Sequence, residues 1–243
     1  MKKILWCITG AGYKLKEVFE VIRALKEELG LRVTTALSRA GWEIVRLYGL
    51  EEALKAISPG GYYEEVFIDD PLRPVSKVPG RVMRGSYSLL AIAPATGNTV
   101  AKMVHGIADT LVTQAFAMAG RSRTPVVVLP SEALEVAEAT LPCLVDHDAC
   151  RACPDCPPLG ACPHGAIYRL PDGRASIDLS SCRGCGICAP LCPHGAISCW
   201  RRVEIYCREL DIANVGKLKR MPGVQVVLDE EQLYKTLRSL LRR

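Results

Sequence analysis

The sequence predicts an α/β protein: a doubly wound parallel sheet with a small α+β domain inserted into it. Short apolar segments alternate with amphipathic helical segments at both ends of the 243-residue chain, a pattern typical of parallel strands covered by helices on both faces. A cysteine-rich block interrupts the alternation between one strand and the next helix, as expected for a domain inserted in a loop. We therefore expect one domain over residues 1–142 and 208–243, and a second over 143–207.

Hydrophobic periodicity places the individual elements. Residues 3–8 form an apolar run that ends at a Thr-Gly-Ala-Gly turn, and residues 14–29 carry apolar side chains at helical spacing. Further strands are expected at 31–37, 64–68, 88–93, 125–129 and 224–228, and further helices at 42–48, 51–57, 98–104, 107–119, 212–221 and 230–241. Residues 69–85 are expected to form a Pro-rich, basic loop that either holds an anionic group or is solvated; its charged residues are Asp69, Asp70, Arg73, Lys77, Arg81 and Arg84.

Two matched cysteine runs occupy the inserted block. Each has the pattern C-x2-C-x2-C followed by Cys-Pro-His-Gly-Ala-Ile, and the two endings are thirty residues apart. Three thiolates at this spacing surround one face of a cubane cluster, and the Cys-Pro cysteine ligates the other cluster in two-cluster ferredoxins. The block resembles bacterial-type two-[4Fe-4S] ferredoxins. The expected ligands are Cys150, Cys153, Cys156 and Cys192 for one cluster, and Cys182, Cys185, Cys188 and Cys162 for the other.

Other uses of these cysteines fit the pattern less well. Structural zinc requires paired Cys-x2-Cys motifs or mixed Cys and His ligands rather than a third cysteine and a Cys-Pro. Disulfide frameworks are typical of secreted proteins, and no secretory signal pattern follows Met1. The four cysteines outside the runs are expected to be buried apolar thiols: Cys7, Cys143, Cys199 and Cys207. Five residues separate Cys156 from Cys162 in the first run, whereas three separate Cys188 from Cys192 in the second.

Charge and hydropathy narrow the class of partner. The net charge of +5 is spread along the chain, whereas a nucleic-acid binder requires a concentrated basic face. No apolar run approaches the length of about 20 residues that crosses a bilayer. We therefore expect a cytoplasmic protein that binds neither nucleic acid nor membrane.

The turns after three predicted strands carry groups suited to a phosphate. They are the Thr9-to-Gly12 turn, Ser38 beside Arg39, and the segment from Pro94 to Thr99. Ligands of doubly wound sheets bind just beyond the carboxyl ends of the strands, where these turns lie. A dinucleotide fingerprint is absent, because Leu15 occupies the third glycine position and no acid ends the second strand. The residues alone leave open a mononucleotide site or purely structural turns.

The segment from Ser88 to Lys102, with Gly106-Ile-Ala-Asp109 after it, resembles the superfamily of flavin-containing cysteine decarboxylases. More narrowly, the chain is similar to archaeoflavoproteins and to archaeal dihydromethanopterin reductases that carry a ferredoxin insert. This resemblance implies FMN and homo-oligomers built from trimers. It implies that the flavin is bound by Thr9, Gly10, Ala11, Gly12, Ser38, Ala95, Thr96, Asn98 and Thr99.

The decarboxylases of this superfamily carry an active-site histidine before the Pro-Ala motif, but residues 58–93 contain none. We therefore expect a reductase that passes electrons from a low-potential donor such as ferredoxin through two [4Fe-4S] clusters and FMN to a small acceptor, such as a pterin. One alternative is an electron-transfer flavoprotein that serves a protein partner. Another is a redox sensor, although no output module is recognisable.

Overall fold

The computed structural model describes residues 1–70, 72 and 76–242. Its strands are β1 (Lys3–Ile8), β2 (Arg32–Leu37), β3 (Val66–Ile68), β4 (Leu89–Ala95), β5 (Val126–Pro130), β6 (Val136–Leu141), β7 (Leu144–Val145), β8 (Ile167–Arg169), β9 (Ala175–Ile177), β10 (Ile197–Ser198), β11 (Arg201–Tyr206) and β12 (Val224–Val226). Its helices are α1 (Leu15–Leu29), α2 (Arg39–Leu47), α3 (Glu51–Ile57), α4 (Lys77–Met83), α5 (Gly97–Val104), α6 (Leu111–Ser122), α7 (Pro157–Ala161), α8 (Cys188–Leu191), α9 (Glu209–Lys219) and α10 (Glu230–Arg242).

Six parallel strands form the main sheet in the order β12-β5-β4-β1-β2-β3. This is the doubly wound order of two mononucleotide-binding halves that meet between the first and fourth strands. Strand β12 follows the cysteine-rich block in the chain and yet pairs with β5. The predicted α/β fold with an inserted segment is therefore confirmed.

The central strands are buried on both faces because helices cover each side. Alternate side chains of β1 point in opposite directions: Leu5 and Cys7 belong to the cluster that includes side chains of α4, α5, α6 and α9. On the other face the Trp6 ring meets the Phe19 ring of α1 edge-on, with centroids 4.8 Å apart. Helix α10 packs on α1 and on β4 and β5.

Contacts divide the chain into two compact units. The first contains residues 1–44, 52–137 and 205–243, and the second contains 45–51 and 138–204. Within the second unit, β7 pairs with β10 and β8 pairs with β9, both antiparallel, and the short helices α7 and α8 precede the two Cys-Pro cysteines. The repeat in sequence is thus a repeat in structure.

The basic segment differs from the expected loop. Residues 77–83 form helix α4, and the Ser76 hydroxyl accepts the Val78 N–H at its first turn (3.2 Å). Arg81, expected to be solvated or to hold an anion, is buried and makes two hydrogen bonds to the Glu65 carboxylate (2.8 and 2.9 Å). Helix formation turns this side chain inward onto its partner. Arg73 lies outside the described residues.

Helix α6 begins at Leu111, not near 107, because the Thr110 hydroxyl accepts the Thr113 N–H in a capping box. Across the described part of the chain, none of the helices has the length and apolar character that a bilayer crossing requires.

Candidate cofactor sites

The turns after β1 and β4 are joined by one threonine. The Thr9 hydroxyl donates to the Pro94 carbonyl oxygen (3.0 Å) and accepts the backbone N–H of Thr96 (2.9 Å). The Thr9 N–H also reaches the Pro94 carbonyl oxygen (3.2 Å). Because Thr9 is fully enclosed, these hydrogen bonds fix the two strand ends against each other and set the floor of a pocket.

The turns after β1 and β2 approach so closely that side chains would not fit. A Cβ atom built at Gly10 would lie 2.7 Å from the Ala40 Cβ, and one built at Gly41 would overlap the Ile8 carbonyl oxygen. The Ser38 hydroxyl accepts the Gly41 N–H (3.0 Å) and so caps α2. Bare backbone and a helix start therefore meet at this point, an arrangement that favours a phosphate.

Together these strand ends surround a pocket of about 350 Å³. Six of the residues predicted to bind flavin line it: Thr9, Gly10, Ser38, Thr96, Asn98 and Thr99. Ala11 and Ala95 are buried, and neither they nor Gly12 belong to the pocket wall. Hydroxyls, one amide and helix starts are donors and acceptors that fit a mononucleotide phosphate and its polyol chain.

The pocket also contains side chains that were not predicted as flavin ligands. Arg39, Ala40, Asp69, Lys102 and Thr110 line it. The Lys102 ammonium binds both Asp109 carboxylate oxygens (2.8 and 3.0 Å), which lowers the pKa of Asp109. Thr110 could have been predicted from the sequence as the N-cap of α6, because it is the polar residue before an apolar helical segment. Asp69 could not have been placed in the pocket, because the sequence does not show where the strand before it lies in the sheet.

A second pocket of about 370 Å³ adjoins the first at Thr96 and Asn98. Its walls include Glu132, Cys207 and Asp211. Asp211 is buried and accepts two hydrogen bonds from the Arg208 guanidinium (2.7 and 2.9 Å). Burial, followed by the charges of Glu132 and Asp211, raises the pKa of the Cys207 thiol. Sequence reasoning missed this acidic wall.

The eight cysteines of the matched runs gather around two cavities. One is lined by what we call the first quartet: Cys150, Cys153, Cys156 and Cys192. The other is lined by the second quartet: Cys162, Cys182, Cys185 and Cys188. Both cavities are small. Each quartet combines three cysteines of one run with the Cys-Pro cysteine of the other, so the donor set is four thiols per cavity, which fits a cubane cluster.

The remaining cysteines differ from expectation in part. Cys7 is a buried free thiol, as expected, and Cys207 is a partly buried free thiol. Cys143 and Cys199 are joined by a disulfide, so their interpretation as thiols was wrong. The reason is the antiparallel pairing of β7 with β10, in which Leu144 lies opposite Ser198. Cys143 and Cys199, the next residues beyond this pair, therefore lie opposite each other as well.

Family models match both parts of the chain: the Flavoprotein model covers residues 1–141, and the 4Fe-4S binding domain model covers 175–198. A Methanosarcina mazei protein named dihydromethanopterin reductase (acceptor) is 40% identical over 233 residues, 96% of this chain and 97% of its own length. A Methanocaldococcus jannaschii protein of the same name is 43% identical over 227 residues, 93% and 91% of the two chains.

Among solved structures, Burkholderia xenovorans DmrB in complex with FMN, described as a cubic protein cage for redox transfer, superposes with a TM-score of 0.60. It is 25% identical, and the match covers 99% of this chain and 96% of that one. Pocket geometry, cysteine pattern and full-length similarity agree. The chain belongs to the Flavoprotein family and, within it, to the oxidoreductases named dihydromethanopterin reductase (acceptor).

Proposed function

We propose that the protein is an iron–sulfur flavoprotein reductase that takes electrons from a low-potential donor such as ferredoxin and reduces dihydromethanopterin or a similar pterin. The observation that carries this proposal is the pair of crossed cysteine quartets in a chain that otherwise matches a flavoprotein. When bound, [4Fe-4S] clusters transfer single electrons, and FMN collects two and delivers hydride. Residues 143–207 would form the cluster domain, and 1–142 with 208–243 the FMN domain.

The quartets would hold two [4Fe-4S] clusters, one in each cavity. The second run lies within the match to the 4Fe-4S binding domain model, and the first run repeats its spacing. Cys162 and Cys192 would each complete the site formed by the other run. The cavity walls carry mainly apolar groups besides the thiols, and the polarity of such surroundings influences the reduction potential of a bound cluster.

The pocket at the ends of β1, β2 and β4 would hold FMN. Ser38 and the Gly10 turn offer donors to the phosphate, while Arg39 supplies positive charge beside them. Thr96 caps α5 by accepting the Thr99 N–H (3.2 Å), which keeps Asn98 at the helix start and on the pocket wall. These residues bind and orient the cofactor.

The adjoining pocket favours a small-molecule acceptor over a protein acceptor. A pterin presents N–H donors along its aminopyrimidine edge, and carboxylates accept such donors. Glu132 accepts one hydrogen bond from the Ser131 hydroxyl (3.3 Å) and retains capacity for more. Asp211 is held by Arg208. We propose that the pterin binds along this wall, beside the residues shared with the flavin pocket.

We further propose a homo-oligomer built from trimers. The proposal is supported by the similarity to DmrB, which is described as a cubic protein cage. It is tested by the mass of the purified protein in solution, which should correspond to a multiple of three chains.

The electron route is tested with the double variant Cys185→Ser, Cys188→Ser. It removes two thiols of the second quartet and leaves every flavin-pocket residue unchanged. We expect the variant to retain FMN and to be reduced by dithionite at the wild-type rate, but to lose reduction by ferredoxin. Stopped-flow bleaching of flavin absorbance measures both. Equal rates with ferredoxin would contradict a cluster-fed flavin.

The acceptor is tested directly by assaying dihydropterin reduction with a chemically reduced donor. Glu132→Gln keeps the shape of the pocket wall and removes its charge. We expect this variant to bind FMN normally and to show a raised KM for the pterin. Absence of pterin reduction by a protein that carries all its cofactors would instead favour electron transfer to a protein partner.

A further inference from the structure

Cys143 and Cys199 stand opposite each other on neighbouring strands. Leu144 pairs with Ser198 and Val145 with Ile197 in the antiparallel β7–β10 ladder. The next residues outward are Cys143 and Cys199, which a disulfide joins. Cys143 is almost fully enclosed, with 1% of its surface exposed. The pairing therefore follows from the register of two strands rather than from closeness in sequence, since 56 residues separate the two cysteines.

The disulfide adjoins the second quartet. The Cys199 Sγ atom lies 3.9 Å from the Sγ atom of Cys188. The sulfur atoms of Cys143, Cys188 and Cys199 all lie within 4.8 Å of one another. Cys143 also lines the cavity around which the second quartet gathers. A sulfur–sulfur bond is thus in contact with a proposed cluster ligand.

The internal repeat supplies a comparison within the same chain. The residue thirty positions before Cys199, in the matching place after the first Cys-Pro motif, is Arg169. Arg169 pairs with Ala175 in the β8–β9 ladder, and the Ala175 N–H points to the sulfur of Cys150 in the first quartet (3.5 Å). Arg and Ala therefore occupy, at the first quartet, the paired positions that two cysteines occupy at the second. The repeated ladder therefore forms in the first half without cysteine at these positions.

We propose that Cys143 and Cys199 form a two-electron redox site served by the cluster of the second quartet. In the reductive direction the sulfur–sulfur bond breaks, the two sulfurs gain two electrons from the low-potential donor by way of that cluster, and two protons from water complete two thiols. In the reverse direction the two thiols return two electrons, one at a time, to the oxidised cluster and two protons to water, and the bond forms again. The proposal rests on the cluster assignment given above, but it does not depend on which acceptor the flavin serves.

A reductive titration counts the electrons. Each of two clusters takes one electron, FMN takes two, and a disulfide takes two, so the wild-type holoprotein should take up about six electrons per chain. The variant Cys143→Ala, Cys199→Ala should take up about four, with unchanged iron and flavin content. Cys7→Ala removes a buried thiol outside the cluster unit and should retain about six. Loss of iron from the double variant would overturn the proposal, because the pair would then be ligands.

Thiol trapping locates the two additional electrons. Protein is reduced anaerobically with methyl viologen radical, quenched in acid and alkylated, and peptides are analysed by mass spectrometry. We expect a linked Cys143–Cys199 peptide pair before reduction and two alkylated cysteines after it. In Cys185→Ser, which lacks a ligand of the second quartet, the linked pair should persist at least tenfold longer.

In the trapping experiment, free Cys143 and Cys199 in the oxidised holoprotein would also overturn the proposal, and so would equally fast reduction in Cys185→Ser. Electron paramagnetic resonance, which monitors cluster reduction, shows whether the clusters receive electrons. Failure of the redox-site proposal can then be distinguished from failure of the proposed function. Disulfide reduction without pterin reduction would contradict the function alone. Pterin reduction with a persistent disulfide would contradict the redox site alone.

Discussion

Gly41→Ala is expected to weaken both the fold and the binding of FMN, because it separates two turns of the proposed flavin pocket. The new Cβ atom would overlap the Ile8 carbonyl oxygen and lie 2.9 Å from the Ile8 carbonyl carbon, whereas ordinary contact begins at 3.4 Å. The obstacle is backbone and not the end of a flexible side chain. The start of α2 must therefore move away from the end of β1 by at least about 0.5 Å, a displacement typical of overpacked sites.

The cost has two contributions. Overpacking of this kind costs about 1–3 kcal/mol. The same movement lengthens the hydrogen bond from the Ser38 N–H to the Ile8 carbonyl oxygen (3.0 Å), which contributes about 1 kcal/mol. For a chain of this size, a loss of about 2–4 kcal/mol corresponds to a fall in Tm of roughly 4–16 °C. Displacement of Ser38 relative to the Gly10 turn should lower FMN affinity by about tenfold or more, since a tenfold change requires only about 1.4 kcal/mol.

Thermal unfolding followed by circular dichroism measures the first effect, and titration of flavin-depleted protein with FMN measures the second. Gly216→Ala is the matched control, because a Cβ built at Gly216 in α9 meets nothing within 4 Å. Alanine is favoured over glycine in a helix by about 1 kcal/mol, so this variant should be slightly more stable and bind FMN normally. Wild-type Tm and FMN affinity in Gly41→Ala would refute the close-packing argument.

Purified anaerobically, the protein should contain about eight iron and eight sulfide per chain; about four iron, or stoichiometric zinc, would contradict two clusters. Cys192→Ser should impair the cluster of the first quartet and Cys162→Ser that of the second, as spectra of the cluster that remains would show. Ser38→Asp should lose FMN while Ser38→Asn keeps it, because both residues can cap α2 but only aspartate repels the phosphate; equal flavin content would place the phosphate elsewhere. Hydrogen bonds from Arg81 lower the pKa of Glu65, so this carboxylate stabilises the fold above its ordinary pKa of about 4.3 and loses the effect as pH falls through the lower folded value. Glu65→Gln should therefore cost about 3 kcal/mol at pH 7 and progressively less in acid, and a difference that does not depend on pH would refute this.

The sequence predicted the sheet because its central strands are buried on both faces and so form continuous apolar runs. The third strand was expected over 64–68, but only Val66–Ile68 form it. The helix at 77–83 was missed because Pro79 and Gly80 suggest a loop. In the structure Pro79 occupies the first helical turn, where its missing N–H has no intrahelical partner to lose.

The flavin-binding residues that were predicted correctly as pocket residues carry hydroxyl or amide groups, or are glycine, and directly follow predicted strands. Both features can be recognised in the sequence. The pocket residues that were not predicted reach the pocket only because of how distant parts of the chain pack together. Glu132 follows β5 and meets the start of α5, so closely that a Cβ built at Gly97 would overlap its carboxylate. Asp211 reaches the same pocket from α9, beyond the cysteine-rich block. No local pattern relates these two carboxylates.

The crossing of the two runs has a consequence for how the cysteine-rich unit is held together. Its buried apolar side chains outside the two quartets are small in number and size, and they include Ala166, Ile167, Ala175, Ala196 and Ile197. Domains with so little core depend on metals or disulfides for stability. Each quartet draws its fourth thiol from the other half, so a cluster bound at either site would join both halves, and the Cys143–Cys199 bond lies just beyond the end of the β7–β10 ladder. With the two proposed clusters bound, the stability of this unit and its electron transfer would depend on the same sulfur atoms.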